Sequence, residues 1–212
     1  MASSFVFHDP VVQDPCFCEA LLYEEQDTIK LNLPIYSSIS HHQGSNSFVS
    51  LVDERIQIYE GGDGTINEVG SINAQNVYLV GFANEDTLWR CKPGYVEKID
   101  LTGQLLQSIP LEGFVTAMKS SGDRMFLLCD GNLWMIELED IQKMAEGIIS
   151  MTTDRKGSCF YTNGATLFHY HGDTTAELLT NMPNVFNVEY LRFGRIFCAF
   201  QPKSDQVCFF IY

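Results

Sequence analysis

The segment Met125–Leu138 (MFLLCDGNLWMIEL) contains two short apolar runs on either side of Asp130 and Gly131. Asp-Gly is a strong hairpin signal, because both central residues of a type I′ turn need a positive φ, which Asp and Gly tolerate. Short apolar runs that are bounded by turn residues are typical of β-strands. The segment therefore predicts two antiparallel strands joined by a tight turn.

The same arrangement recurs along the chain. Turn pairs divide apolar runs at Asp53–Glu54, Pro93–Gly94, Asp130–Gly131, Asn163–Gly164 and Ser204–Asp205. Taken at positions 53, 94, 131, 164 and 205, these turns lie 41, 37, 33 and 41 residues apart. A further apolar run precedes each hairpin, and a second turn and another short run usually follow it. We therefore predict an all-β fold built from units of four short antiparallel strands.

The third unit departs from this pattern. Residues 139–146 carry acidic side chains at their start, and Gly147 follows their end. Acids in a first turn and Gly just past a last turn are typical of helix boundaries. We therefore expect a helical turn where the fourth strand of this unit would otherwise lie.

Four-stranded units at this period resemble the blades of β-propeller repeat proteins of a degenerate, WD-like kind. The resemblance covers residues 35–212 and implies a single propeller domain of about five blades. The segment 1–34 precedes it, and its run Ile29–Leu33 is a candidate strand for closing the ring. Six blades, or a β-sandwich or barrel, are the alternatives.

The individual blade motifs are absent. WD-type blades end in Trp-Asp, but here Trp89 is followed by Arg90 and Trp134 by Met135. The Gly-Gly pair of kelch-type blades occurs once, at residues 61 and 62. The resemblance is therefore one of architecture and carries no specific activity.

Charge and composition exclude several classes of partner. The 212 residues contain 13 Lys+Arg and 27 Asp+Glu, for a net charge of −14. We therefore expect no binding to nucleic acid, which requires a basic face, and none to an anionic membrane surface. No apolar run approaches the ~18 residues of a membrane span, and the start MASSFVFHDP lacks the basic region of a signal peptide. The expected compartment is the cytoplasm, with the nucleus as the alternative.

The seven cysteines are odd in number, which is unusual for a secreted disulfide scaffold. With no signal peptide, free thiols in a reducing compartment are expected. Most of the cysteines stand inside apolar runs, where Cys behaves as a small core residue. These are Cys91, Cys129, Cys159, Cys198 and Cys208.

Two histidines are the best candidates for a metal site. His169 and His171 lie two apart on one predicted strand, so both face the same side, and Asp173 follows them. Imidazole and carboxylate groups suit zinc, but two ligands on one strand do not make a site without a third from elsewhere. We therefore predict no metal and no other cofactor.

An enzyme is not expected either. Glu97, Glu137 and Glu189 are the strand carboxylates able to point toward a central channel, as a five-bladed glycoside hydrolase would require. No nucleophile motif accompanies them. A carbohydrate-binding, lectin-like propeller is a second alternative, but it predicts equivalent pockets. The residues that follow the turns differ instead, being Arg55, Tyr95, Asn132, Ala165 and Gln206.

The favoured function is a non-catalytic protein-interaction scaffold or complex subunit, in which an acidic face binds a basic peptide or protein. Exposed loops on a rigid framework commonly carry such binding. The partner-binding residues predicted from loop position and charge are His41, His42, Asp63, Asp130, Asp173 and Tyr95.

Overall fold

The computed structural model describes residues 38–41, 47–62, 65–154, 156–182, 184–190, 196–200 and 208–211. In these ranges the chain forms nineteen strands and no helix, so it contains no helix able to cross a membrane there. The strands assemble into five antiparallel sheets, each made of strands consecutive in the sequence. The predictions of an all-β fold and of four-stranded units are therefore confirmed. The segment 1–34 lies outside the described residues.

The sheets are numbered in chain order. Sheet 1 contains β1 (Ser38–His41), β2 (Ser47–Val52), β3 (Arg55–Gly62) and β4 (Thr65–Asn73). Sheet 2 contains β5 (Leu79–Phe82), β6 (Thr87–Lys92), β7 (Tyr95–Asp100) and β8 (Leu105–Pro110). Sheet 3 contains β9 (Val115–Ser121), β10 (Arg124–Cys129), β11 (Asn132–Glu137) and β12 (Asp140–Glu146). Sheet 4 contains β13 (Ser150–Thr153), β14 (Cys159–Thr162), β15 (Leu167–His171) and β16 (Thr174–Leu179). The described strands of sheet 5 are β17 (Val185–Tyr190), β18 (Ile196–Phe200) and β19 (Cys208–Ile211).

The predicted hairpin turns join the second and third strands of the sheets. Asp53 and Glu54 both have positive φ, at 47° and 61°. Asp130 and Gly131 also have positive φ, at 46° and 73°. These values are those of type I′ turns, which suit the twist of the flanking strands. The fourth turn is longer than predicted and joins β14 to β15 through Gly164 (φ 93°). The turn at 204–205 lies outside the described residues.

The helical turn predicted for residues 139–146 is wrong, because this segment is strand β12. It pairs antiparallel with β11, with Asp140 opposite Glu137. The register shifts so that Met144 is an extra, bulged residue. Ile141 and Met144 therefore have helix-like spacing although they lie on a strand. Pairing with β11 decides the structure, since local propensity is weaker than tertiary context.

Bulges recur in the outermost strand of each four-stranded sheet. The register between third and fourth strand shifts in all four, leaving one extra residue on the outer strand each time. The extra residues are Val69, Leu106, Met144 and Leu178. A bulge bends and twists an edge strand, which hinders pairing with the edge of another molecule.

Among the described residues the hydrophobic core forms four clusters, and each of them lies between neighbouring sheets. Strand β10 shows how one sequence supplies two of them. Met125 and Leu127 pack toward sheet 2, whereas Phe126 and Leu128 pack toward sheet 4. All are buried, so the strand has no polar face, which is why its sequence is a continuous apolar run.

The described cysteines lie in these clusters. Cys91, Cys129 and Cys159 are buried free thiols, as predicted. Burial raises the pKa of Cys91 to about 12, and it also raises the pKa of Cys159. The side chains of the other four cysteines lie outside the described part of the chain.

The first strands of sheets 2 to 5 lie side by side and run the same way. Tyr78 and Phe114, which precede β5 and β9, stack on each other, and Ser150 at the start of β13 bonds Asn187 near the start of β17. We call the side where these strands begin the entry face. It carries residues 74–78, 111–114, 147–149, 180–182 and 184, together with the turns that join the second and third strands of sheets 1 to 4. The opposite, exit face carries the turns 101–104, 138–139 and 172–173.

Candidate functional site

Large apolar side chains are exposed on the entry face at matching places in successive sheets. Phe114 and Ile149 each stand immediately before a first strand, and Phe186 is the second residue of the next one. Their exposed fractions are 56%, 50% and 43%. Tyr78 stands before β5, is partly buried, and stacks on Phe114 with ring centroids 4.5 Å apart. We call these four side chains the apolar arc.

Short backbone hydrogen bonds hold the loops that carry the apolar arc. The N–H of Leu111 donates to the Gly94 carbonyl at 3.0 Å, and the N–H of Ile148 donates to the Gly131 carbonyl at 2.8 Å. The N–H of Val185 donates in the same way to Gly164 at 2.9 Å. Each loop is thereby tied to the turn of a sheet beside it, so the exposed side chains sit on an ordered backbone.

Phe114 has a second attachment, to a predicted site residue. Its N–H donates to the Asp130 carboxylate, and the Asp130 N–H donates to the Phe114 carbonyl. The neighbouring Gly113 has φ 108°, and a Cβ there would lie 2.8 Å from the Cys129 sulfur. Only glycine fits this close approach of loop and turn without strain. The carboxylate of Asp130 is therefore fixed beside an exposed aromatic ring.

The predicted binding residues divide between the two faces. Asp130 and Tyr95 lie on the entry face, where Tyr95 follows the β6–β7 turn and is exposed. Asp173 lies on the exit face in the β15–β16 turn. For His41 the structure gives only a backbone position at the end of β1, and His42 and Asp63 lie outside the described residues. Of the described candidates, Asp130 and Tyr95 lie on the same face, on neighbouring sheets.

The Asp173 carboxylate is not free on the exit face. Its Oδ1 lies 2.8 Å from Arg124 and accepts the Tyr170 hydroxyl at 2.9 Å. These bonds hold the pKa of Asp173 below its usual value. Arg124 also bonds Glu137 at 2.9 Å, so that one guanidinium joins sheets 3 and 4. Asp173 thus has a structural partner within the chain.

The exit face also carries a strongly exposed leucine in sheet 3. Leu138 is 82% exposed and has φ 56° in the β11–β12 turn. Its carbonyl accepts the side-chain amide of Gln107 from sheet 2 at 2.9 Å. A positive φ is unfavourable for leucine, and the corresponding turn of sheet 4 has Gly172 and Asp173 instead.

The carboxylates considered for a hydrolase each bind a cation. Glu97 lies 2.7 Å from Arg90 and 3.0 Å from Lys92, Glu137 binds Arg124, and Glu189 lies 3.6 Å from Lys119. Burial acts to raise the pKa of Glu97, but the hydrogen bonds from Lys92 and Arg90 outweigh it and lower the pKa. A glycosidase acid needs the opposite shift.

The two histidines face sheet 5 and contact aromatic rings. The His169 ring stacks on Phe160 with centroids 4.3 Å apart. The centroid of the His171 ring lies 5.9 Å from that of His169. Burial first, and then His171, lower the pKa of His169. The Nδ1 of His171 bonds the Ser158 hydroxyl at 2.8 Å. Among the described residues no group of three or more His, Cys, Asp or Glu side chains is placed to hold a metal ion.

Comparison with known proteins identifies the fold. No protein-family model and no curated protein matches the sequence. Hsv2 from Kluyveromyces lactis matches with a TM-score of 0.67 and 10% identity, over 78% of this chain and 57% of that one. Hsv2 from Kluyveromyces marxianus matches with a TM-score of 0.63 and 10% identity, over 76% and 54%.

A third match is a chain in the S. cerevisiae structure of Dbp5 bound to Nup159, Gle1, IP6 and ADP. It has a TM-score of 0.59 and 12% identity, over 84% of this chain and 58% of that one. This chain therefore spans little more than half the length of the solved chains it matches. Hsv2 is a β-propeller, and the likeness, with the consecutive antiparallel sheets, identifies a β-propeller fold here. At such low identity the likeness concerns the fold alone.

Proposed function

We propose that the chain is a non-catalytic protein-interaction scaffold, a propeller of about five blades whose acidic surface binds a basic peptide or protein. It acts as a subunit of a larger complex in the cytoplasm or nucleus. The proposal rests above all on one observation, which is the uneven pairing of surface charge. Cations of the described residues are mostly bound within the chain, whereas most exposed carboxylates are not.

Six of the eight described Lys and Arg side chains contact carboxylates or aromatic rings, whereas Arg55 bonds the Ser71 hydroxyl and Lys156 is exposed. Arg90 and Lys92 bind Glu97, Lys119 binds Glu189, Arg124 binds Glu137 and Asp173, and Lys143 binds Glu146, while Lys98 lies over the Trp89 ring. Because these cations are occupied by contacts within the chain, little positive charge remains to neutralise the exposed carboxylates. Such a surface attracts cationic partners and speeds their association.

The uncompensated carboxylates are spread over both faces. The following are exposed and form no ion pair with another described residue: Asp53, Glu54, Glu60, Glu68, Glu85, Asp86, Glu112, Asp123, Asp130, Glu139, Asp140 and Glu177. A partner with clustered Lys and Arg gains ionic contacts here without displacing any internal pair. This supports a basic partner over an acidic or neutral one.

A binding measurement with synthetic peptides tests the proposal. A fluorescent peptide of about twelve residues rich in Lys and Arg is compared with one that has Gln at every basic position. Fluorescence anisotropy should show binding of the basic peptide alone, weakening as salt rises from about 50 to 300 mM, because screening shortens the range of charge attraction. Equal binding of both peptides, or binding of neither, would refute the proposal.

A further inference from the structure

We propose that the apolar arc on the entry face is the docking surface, and that it selects a partner segment with apolar side chains flanked by Lys or Arg. This inference rests on the proposed function and specifies where and what the scaffold binds. Exposed apolar side chains gathered on one surface are a mark of interaction sites in soluble proteins. Aromatic side chains supply much of the energy at such sites.

The position of the arc is a property of the fold. Tyr78, Phe114 and Ile149 each come directly before a first strand, and first strands of neighbouring sheets lie side by side. Phe186 occupies the corresponding region of the next sheet, at a register shift between β17 and β18. The four side chains therefore follow one another along a single surface instead of being scattered over the molecule.

The arc is also ordered before any partner arrives. The loop–turn hydrogen bonds at Leu111, Ile148 and Val185 fix its backbone. The Tyr78 hydroxyl accepts the N–H of Val115 at 3.2 Å, which orients the ring that stacks on Phe114. A surface that is already in its binding conformation loses less entropy on association.

Charge determines the chemistry of the occupant. The entry-face residues 74–78, 111–114, 147–149, 180–182 and 184 include no Lys or Arg. Glu112 is exposed just before Gly113 and Phe114, and Asp130, which binds the Phe114 N–H, is also exposed. Asp53 and Glu54 form the turn of sheet 1 on the same face, next to the exposed Arg55. A partner that buries Phe114 therefore brings its flanking groups against carboxylates, which favours Lys and Arg beside its apolar residues.

A second copy of this chain does not suit the arc. It would present the same acidic loops and the same net charge of −14. Pairing two entry faces would place carboxylates against carboxylates, and this repulsion opposes association. A basic and apolar segment of another protein meets no such penalty.

The test uses three synthetic peptides of about twelve residues. The first carries two Leu or Phe residues flanked by Lys and Arg, the second has Ser at the apolar positions, and the third has Gln at the basic positions. Fluorescence anisotropy is measured with the wild-type chain, with the double variant Phe114→Ser/Ile149→Ser, and with Leu138→Ser as control. Leu138 is even more exposed but lies on the opposite face, so this control removes an exposed apolar side chain away from the arc.

We expect the first peptide to bind the wild type more tightly than either of the others. The double variant should lose about tenfold or more in affinity for it, and Leu138→Ser should bind like the wild type. Circular dichroism and thermal unfolding check that both variants are folded, which exposed positions favour.

The remaining outcomes separate the two proposals. If the first two peptides bind equally and the double variant binds as well as the wild type, the arc is not the site, although the acidic scaffold stands. If the third peptide binds as tightly as the first, the requirement for Lys and Arg is wrong. If no basic peptide binds, both proposals fail. A concentration-dependent dimer that the double variant abolishes would make a second copy the occupant and overturn the inference.

Discussion

Phe114 and Asp130 bind each other through two hydrogen bonds, from the Phe114 N–H to the Asp130 carboxylate and from the Asp130 N–H to the Phe114 carbonyl, each 3.2 Å long. The pair joins the loop before β9 to the turn after β10. It leaves the Phe114 ring exposed while its backbone is fixed. An apolar group and a carboxylate are thereby held side by side on the entry face, and the properties of this junction are open to measurement.

Gly113 is expected to be the most sensitive glycine at this junction. In Gly113→Ala the added Cβ meets the Cys129 sulfur and the Asp130 carboxylate at a φ that alanine avoids. We expect a loss of about 3 kcal/mol in the free energy of unfolding, measured with urea. The control Gly147→Ala also has positive φ (67°) but meets nothing within 4 Å, so it should lose only about 1–2 kcal/mol. Equal losses would mean that the close approach at Gly113 contributes nothing.

Leu138 predicts a stabilising substitution. Leu138→Asn replaces an exposed side chain at φ 56° with one that tolerates this conformation. The free energy of unfolding should rise by about 0.5–1 kcal/mol. Leu106→Asn is the matched control, since Leu106 is also exposed but is not among the positive-φ residues. If Leu106→Asn stabilised the protein as much as Leu138→Asn, the gain would come from replacing an exposed apolar side chain and not from relieving backbone strain.

His169 should make the fold sensitive to mild acid. Because burial and His171 lower its pKa in the folded state, the unfolded chain binds a proton more readily. The stabilising effect of neutral His169 is present above pH 6.5, its reference pKa, and is lost as the pH falls below it. In His169→Phe, which keeps a ring against Phe160, stability should fall less between about pH 7 and 5. Parallel pH profiles of the two proteins would contradict the assignment.

The buried thiols should be unreactive in the native chain. Thiolate is the nucleophile, and burial raises the pKa values of Cys91, Cys129 and Cys159. At about pH 8 iodoacetamide should leave these three unlabelled, and it should label them after unfolding in urea. Peptide mass spectrometry distinguishes each site from the other cysteines. Rapid native labelling of any of the three would show that its cluster opens.

The sequence predicts most of the strands and turns, but it does not single out the residues of the apolar arc. The turns at Asp53–Glu54 and Asp130–Gly131 were predictable because few residues tolerate their φ values. Strand β12 is not predicted, because the turn before it contains Leu138 at a positive φ, where a Gly, Asn or Asp would have indicated a turn. The bulge at Met144 added a helix-like spacing. Local sequence misleads wherever a neighbouring strand sets the register.

The candidate surface was only half predictable. Asp130 and Tyr95 were selected by loop position and charge, and both lie on the entry face. Phe114, Ile149 and Phe186 were not selected, because an exposed apolar residue and a core residue look alike in a sequence. Their common position, at or just before the start of a first strand, is the signal that would have found them. Asp173 was selected as an exposed charge, but the sequence does not reveal that folding pairs its carboxylate with Arg124 and Tyr170.

The placement of every core cluster between two sheets has a consequence for synthesis on the ribosome. A newly made sheet has one apolar side covered by the sheet before it, while the other stays bare until about 35 further residues emerge. During synthesis the most recently made sheet therefore always exposes an apolar side, which a chaperone can recognise. A protein truncated at a repeat boundary would keep the apolar side of its last sheet exposed. Such truncated proteins should therefore aggregate into inclusion bodies instead of folding as smaller soluble domains.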